Sequence, residues 1–222
     1  MYILHEDADR VVIATTKSSN DKTGNMVQVW ILCRNESPVE AAKSGADIAV
    51  CGDCPQRHFL GGGCYVTLFQ GPLSIWKAYK RGSYKHLSLD QYAKAFAGRA
   101  IRLGAYGDPA YIPVPIIDAL AAAGIGHTSY THQWKWVGQQ AVSLASVDNI
   151  TEYEAAKALG YRTFRVSSAP DVQPGEIICP ASDEGGNKTN CIDCLLCNGA
   201  GKAKNILIVV HGALKNRFEF DA

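Results

Sequence analysis

Apolar residues fall along the chain in short runs, separated by glycine, proline and polar residues. Runs of this length that are rich in Val, Ile and aromatic residues and bounded by such breakers are typical of buried strands. The pattern predicts strands at residues 11–15, 26–33, 47–51, 64–69 (as a strand or extended segment), 101–105, 126–131, 141–146, 162–167, 176–179 and 205–210.

Helices are predicted between several of these strands. Pro38 and Pro72 stand where a first helical turn accepts proline, and Gly45 and Gly82 stand where a helix ends. Ser88 is a suitable N-cap. Thr151 and Glu154 match a capping box. The predicted helices span residues 38–45, 72–80, 88–97, 114–123 and 151–159.

Strands that alternate with helices of about 10 residues indicate parallel β-α units. We therefore predict an α/β fold in which a parallel sheet forms a partial (β/α) barrel, with a doubly wound open sheet as the alternative. The helices are too few for a complete eightfold barrel. We expect one domain over residues 1–222, ending in a C-terminal cysteine knot that binds metal at about residues 176–202.

Composition narrows the class of protein. Hydrophobic residues make up 47% of the 222 residues, enough for a full core, and the formal net charge of +1 demands no polyanionic partner. Contact with nucleic acid through a local patch stays open. The chain shows neither a signal-peptide pattern nor an apolar run of about 20 residues, so we expect no membrane span and a cytoplasmic location. In that compartment, clustered cysteines are more typical of metal sites than of disulfides.

Seven of the eight cysteines lie in two groups. The first cysteine group is Cys51, Cys54 and Cys64; the second cysteine group is Cys179, Cys191, Cys194 and Cys197. Thiolates select zinc, copper(I) or iron–sulfur clusters. Four thiolates suit either zinc or a [4Fe–4S] cluster and predict a closed site, whereas three would leave one iron of a cluster open for chemistry. Cys33 or His58 could instead complete a second four-ligand site.

Polar side chains follow several of the predicted strands. Because the working face of a parallel α/β fold lies at the carboxyl ends of its strands, we expect these side chains to converge near the first cysteine group. Arg102, inside a strand, could hold an anionic ligand, and a tryptophan pair at residues 134 and 136 could stack on bases or simply pack. The candidate catalytic residues are Arg102, Asp108, His132 and Asp148, with His127 as a further acid–base candidate.

Four motifs carry a resemblance to known proteins: Asn20-Asp-Lys-Thr-Gly, Cys51-x2-Cys-Pro, Gly63-Cys-Tyr and Cys191-Ile-Asp-Cys-Leu-Leu-Cys-Asn-Gly. With them, most of the chain resembles a family of uncharacterised, cysteine-rich bacteriophage and prophage proteins. That family is in turn similar to distant, trimmed radical S-adenosylmethionine enzymes. Such enzymes have a partial β/α barrel, a three-cysteine [4Fe–4S] loop after the first barrel strand and often a second cluster near the C-terminus.

The resemblance implies one open [4Fe–4S] cluster on the first cysteine group and an auxiliary cluster on the second. It suggests S-adenosylmethionine as a cofactor, a small molecule, nucleotide or nucleic-acid base as substrate, and the host cytoplasm as the location if a phage encodes the chain. The spacing of the first group differs from the Cys-x3-Cys-x2-Cys usual in those enzymes. The alternative function is a non-enzymatic protein, stabilised by two four-cysteine zinc sites, that binds nucleic acid or protein.

Overall fold

The computed structural model describes residues 1–18, 20–201 and 203–218. Residue 202, at the end of the predicted cysteine knot, and residues 19 and 219–222 of the predicted domain lie outside the described residues. The strands are β1 (Tyr2–Glu6), β2 (Arg10–Thr15), β3 (Val27–Cys33), β4 (Lys85–His86), β5 (Ala100–Tyr106), β6 (Gly126–Thr131), β7 (Leu144–Val147), β8 (Thr163–Ser167), β9 (Glu176–Ile178) and β10 (Asn205–Val209).

The α-helices alternate with these strands and are mostly short. They are α1 (Pro38–Ser44), α2 (Ile48–Cys51), α3 (Gly71–Lys80), α4 (Tyr92–Ala95), α5 (Val114–Ala123), α6 (Trp134–Val137), α7 (Ile150–Ala158) and α8 (Cys191–Cys194). Short 3₁₀ turns cover His58–Leu60, Leu89–Gln91, Pro109–Tyr111 and Lys215–Arg217. None of the helices in the described residues is long and apolar enough to cross a membrane.

All ten strands belong to one sheet with the order β4-β1-β2-β3-β5-β6-β7-β8-β10-β9. Only β2 pairs in an antiparallel manner, with β1 and β3 on its two sides, and every other pairing is parallel. The prediction of an α/β fold with a mainly parallel sheet is therefore confirmed. The strand order has two ends, at β4 and β9, so the described strands do not close into a complete barrel.

The two faces of the sheet carry different side chains, because successive residues of a strand point to opposite sides. On one face, β5 shares a hydrophobic core with α5, and β7 shares one with α7; the core residues are Ile101, Leu103, Ile117, Leu120, Ala145, Val147, Tyr153 and Ala156. On the other face, five strands line a cavity through Arg102, Gly104, Tyr106, Thr128, Tyr130, Ser146, Phe164, Val166 and Ile208. The sheet thus separates α5 and α7 from the face on which both cysteine groups lie.

Several predicted elements are wrong in type or extent. The strand predicted at residues 47–51 is α2 (Ile48–Cys51) instead, and of the two alternatives for residues 64–69, a strand or an extended segment, the strand is wrong. The predicted helix 88–97 is a 3₁₀ turn followed by α4, although Ser88 does cap it within a capping box with Gln91. The capping box predicted for Thr151 and Glu154 is also wrong, because Asn149 is the N-cap of α7 and accepts from the Glu152 amide. Strands β1 and β4 and helices α6 and α8 were not predicted.

Candidate metal centre

The first cysteine group lies on a loop that starts at the end of α2. Gly52 ends this helix with φ 61°, and the loop then turns back on itself. The Cys54 amide donates to the Cys51 carbonyl at 3.4 Å, and the Cys64 amide donates to the Gln56 carbonyl at 3.1 Å. These bonds bring the three cysteines of this loop to one end of the cavity.

Arg57 fixes the shape of this loop from inside. Its guanidinium is buried and donates from Nε to Asp47 Oδ1 at 3.1 Å, from Nη1 to the Gly52 carbonyl at 3.1 Å and from Nη2 to the Gly45 carbonyl at 3.0 Å. Because a buried charge is tolerated only when it is paired and hydrogen-bonded, this set of partners holds the loop in one conformation.

The thiols of the first group influence one another. Burial raises the pKa of Cys51 well above its usual range, and the charges of Cys54 and Cys64 raise it further. Burial also raises the pKa of Cys64 to about 11, with a further contribution from Cys54. Without a cation, Cys51 and Cys64 are therefore neutral thiols at pH 7; a bound metal reverses this, because a coordinating thiol is deprotonated.

Neither Cys33 nor His58 joins this group. The Cys33 thiol donates to the Ala46 carbonyl at 3.3 Å, and the His58 ring bonds the Val66 carbonyl through Nε2 at 3.0 Å. Neither residue is among those that line the cavity. The structure therefore offers no support for either as a fourth ligand.

The second cysteine group lies between β9 and β10. Cys179 follows β9, whereas Cys191 and Cys194 begin and end α8, whose N-cap Asn190 accepts from the Asp193 amide. The four cysteines of this group border one small cavity of about 20 Å³. Burial raises the pKa of Cys197, and its three neighbouring thiols raise it further.

Arg162 holds the chain around the second group much as Arg57 holds the first loop. It is buried and bonds four oxygens through its two terminal nitrogens: the Leu196 carbonyl at 2.8 Å, the Gly199 carbonyl at 2.9 Å, the Lys204 carbonyl at 2.6 Å and Asn198 Oδ1 at 3.3 Å. The Ser129 amide of β6 donates to the Cys197 carbonyl at 2.7 Å. The segment is thus attached directly to the sheet.

Both cysteine groups open on the same cavity, whose volume is about 340 Å³. Six cysteines line it: Cys51, Cys54, Cys64, Cys179, Cys191 and Cys197. The wall formed by the sheet is largely apolar, and the Tyr130 and Phe164 rings stack on each other with centroids 4.5 Å apart. A cavity of this size can hold a small organic molecule.

Three of the four predicted catalytic residues, Arg102, Asp108 and His132, line the cavity. Asp148 lies behind His132, with 3.6 Å between Asp148 Oδ1 and His132 Nε2, and accepts from Gln56 Nε2 at 2.9 Å. Burial lowers the pKa of His132, but the charge of Cys54 and the contact with Asp148 outweigh it and raise the pKa well above its usual value. His132 thus joins the first cysteine group to a buried carboxylate.

Asp108 has its oxygens occupied by the chain itself. Oδ1 accepts from the Ala110 amide at 2.9 Å and from the Thr131 hydroxyl at 2.6 Å, and Oδ2 accepts from the His132 amide at 2.8 Å. Its place in the structure is that of a positioning residue, which fixes the backbone at His132.

The geometry supports neither His127 as an acid–base group nor Trp134 as a residue that stacks on bases. His127 Nε2 bonds the Val142 carbonyl at 2.9 Å and the side chain does not line the cavity. Trp134 is buried in the core near α7 and donates to the Ser146 carbonyl, so it is not available to stack on a base.

Sequence reasoning missed several cavity residues. Asn20, Lys22 and Thr23 line the cavity, and the Lys22 carbonyl accepts from the Cys191 amide at 2.9 Å, so this N-terminal motif packs against the second group. The motif contributes to the resemblance described above, but no spacing rule predicts that it lies beside the second cysteine group. Tyr65, beside Cys64, also lines the cavity and its hydroxyl accepts from Arg102 Nη2.

In the part of the chain that the structure describes, no group of three or more His, Cys, Asp or Glu side chains is placed so that it could hold a single metal ion. The thiols of each group are nevertheless close enough for their charges to raise the pKa of their neighbours. No family model, curated protein or solved structure matches the chain.

Proposed function

We propose that this protein is an iron–sulfur protein with a [4Fe–4S] cluster on each cysteine group, and that the cavity between them binds a small-molecule or nucleotide substrate. The observation that carries the proposal is the gathering of seven thiols into two groups that border one cavity system. A chain with a large apolar core needs no metal to fold, so two such groups at one cavity favour a functional role.

We infer a cluster rather than a single ion at each cysteine group. Zinc needs four ligands that converge at about 2.3 Å for sulfur. As placed, the described side chains do not converge in that way, although the thiols interact electrostatically. A four-iron cluster is wider than one ion and takes cysteines that lie further apart.

The proposal extends to the shape of the sheet and the role of the first group. Side chains from five strands face one cavity, which supports a sheet curved as a partial barrel. The first group has only three cysteines, with His132 beside Cys54. A cluster held there supplies one-electron chemistry, and a free coordination position would accept a cofactor such as S-adenosylmethionine.

The chain's own residues would then position the reactants and exclude water. Arg57 and Asp47 keep the first loop rigid, and the Asp108 carboxylate fixes the backbone at His132. Tyr130 and Phe164 offer an apolar wall to a flat ligand. The free thiols require a reducing compartment, such as the cytoplasm, because disulfides form in an oxidising one.

The test is elemental analysis of protein purified without oxygen. We expect broad visible absorption and about eight iron atoms per chain, four for each cluster. A variant with all three cysteines of the first group changed to alanine should lose about half of the iron, and C179A/C191A/C194A/C197A should lose the other half. Cys33→Ala is the matched control and should retain all of it.

The opposite result is equally clear. A colourless protein that contains about two zinc atoms per chain would overturn the proposal and support two structural sites in a nucleic-acid- or protein-binding module. Loss of the first metal in C33A would show that Cys33 is a ligand, contrary to its bond with the Ala46 carbonyl.

A further inference from the structure

Four arginines are buried in this protein, and Arg102 differs from the others in its partners. Arg57 pairs with Asp47, Arg165 pairs with Glu176 through bonds of 3.0 and 2.9 Å, and Arg162 bonds four oxygens of the chain. Arg102 is only 8% exposed, yet its one hydrogen bond among the described residues goes to the Tyr65 hydroxyl.

Within the part of the chain that the structure describes, no carboxylate balances the charge of Arg102. None of the ion pairs in the described residues includes it, and its Nε has no hydrogen-bond partner. Asp108, which also lines the cavity, has its oxygens occupied by Thr131 and two backbone amides. Since burying an unpaired guanidinium is costly, a counter-charge is expected from outside the carboxylates of the described residues.

The surroundings of Arg102 suggest where that charge lies. The side chain forms part of the cavity wall, together with the hydroxyl-bearing Thr128 and Tyr130. Lys22 lines the same cavity and adds a second positive charge. The neighbouring Phe164 ring stacks on Tyr130 and makes the adjoining wall flat and apolar.

We propose that Arg102 anchors the anionic group, a carboxylate or a phosphate, of a small ligand whose apolar or aromatic part lies against Tyr130 and Phe164. This deepens the proposed function, on whose cavity it rests, by naming the chemical class of the ligand. A guanidinium binds both groups well, because its planar N–H donors match their oxygens. Lys22 strengthens the same preference for anions.

The experiment uses three flat probes of similar size, titrated calorimetrically into the full chain purified without oxygen. Benzoate carries a carboxylate, phenyl phosphate carries a phosphate, and benzamide is the neutral match for benzoate. We expect at least one anion to bind at least tenfold more tightly than benzamide. Whether benzoate or phenyl phosphate binds more tightly identifies the anionic group.

The variants then assign the preference to Arg102. Arg102→Gln should weaken binding of the preferred anion by about 10- to 100-fold, the range for losing hydrogen bonds to a charged group. Arg102→Lys, which keeps the positive charge but loses the planar set of N–H donors, should bind the anion with intermediate affinity. Arg81→Gln, which changes an exposed arginine at the end of α3, should bind as the wild type does.

Two results would overturn the proposal. One is a wild type that binds benzamide as tightly as both anions, or that binds neither anion. This comparison needs only the wild-type protein, so it tests the proposal even if R102Q does not fold. The other is an R102Q protein that keeps its affinity for the anion or instead loses iron, since Arg102 would then serve as a counter-ion for the nearby Cys191.

The iron assay on the same samples separates this proposal from the proposed function. An iron-free wild type that still prefers an anion to benzamide would contradict the clusters and leave the anion site standing. A protein that contains iron but does not prefer an anion to benzamide would support the clusters and contradict the anion site.

Discussion

At the scale of single residues, the first cysteine group depends on Gly52. Its backbone angles, φ 61° and ψ −136°, lie in a region that glycine alone adopts readily. A Cβ atom there would stand 2.4 Å from the Tyr111 hydroxyl oxygen and 2.6 Å from Gln133 Oε1. Because Gln133 Nε2 donates to the Cys51 carbonyl, a shift of that side chain would disturb the cysteine itself.

We expect Gly52→Ala to lower the free energy of unfolding by about 2–4 kcal/mol, because it combines backbone strain with steric overlap. Urea unfolding measures the change. Gly82→Ala is the matched control, since Gly82 has φ 70° but nothing within 4 Å of the added carbon. It should lose only about 1–2 kcal/mol, the conformational part alone. Equal losses of unfolding free energy in the two variants would show that Tyr111 and Gln133 can move away from the added carbon without destabilising the fold.

A second residue-scale prediction concerns Asp171, which follows β8. Burial alone would raise its pKa, but the Ser167 hydroxyl, the backbone and the Arg165 guanidinium outweigh this and lower the pKa below its usual value. A carboxyl group with a lowered pKa stabilises the fold above its unfolded value of about 3.9, and this contribution disappears as the pH falls through the folded pKa.

Asp171→Asn should therefore unfold at a lower urea concentration than the wild type at pH 7, and the two midpoints should converge as the pH falls towards about 3. The difference should be small, because the side chain is half exposed. A gap that widens on acidification would contradict the assignment.

At the scale of elements, the sequence pattern located eight of the ten strands but misjudged the short apolar segments. Residues 47–51 contain Ile, Ala and Val before a cysteine, a run too short for periodicity to distinguish a strand from one helical turn. The structure forms the helix α2 there. The Val50 and Cys51 amides donate to the Asp47 carbonyl, and Arg57 bonds the Asp47 side chain, so the chain turns at this point. β4 has only two residues and exists through its pairing with β1, which no local signal reveals.

The segment that carries the second cysteine group offers an element-scale prediction. Arg162 supplies four hydrogen bonds to residues 196–204, so Arg162→Met should leave the buried Gly199 carbonyl and three part-buried oxygens without this donor. We expect a loss of about 3 kcal/mol in unfolding free energy and faster amide exchange in the segment 191–201. Arg81→Met, at an exposed arginine, is the control and should change neither. Unchanged exchange in R162M would mean that the attachment of Cys197 to Ser129 suffices.

At the scale of the whole molecule, the spacing of cysteines predicted the two groups, but not that they share one cavity. That arrangement depends on long-range pairing: Asn20, Lys22 and Thr23 come from the loop after β2, Tyr65 from the first cysteine loop and Phe164 from β8. No known spacing rule for metal ligands includes any of these residues. Arg102 could be suspected only because a charge inside a strand is unusual. That none of the described carboxylates pairs with it appears only in three dimensions.

If the proposed clusters are bound, the division of the molecule also predicts how it responds when they are removed. The core between the sheet and helices α5 and α7 contains none of the seven grouped cysteines as a buried member. Iron binding should therefore stabilise chiefly the two cysteine segments, because only groups that contact the metal gain its binding energy. Chelation under anaerobic conditions should leave the amides of β5 and β6 protected from hydrogen exchange, while residues 51–64 and 179–201 exchange faster.

Mass-spectrometric exchange before and after chelation distinguishes this outcome from its opposite. The C179A/C191A/C194A/C197A variant is the matched control: it should show the change in 179–201 before any chelator is added, and in 51–64 only afterwards. Collapse of protection across β5 and β6 would mean that the metal is needed for the fold itself. The cysteine groups would then be structural supports, as in a zinc-stabilised module, and a catalytic cavity between them would lose its main argument.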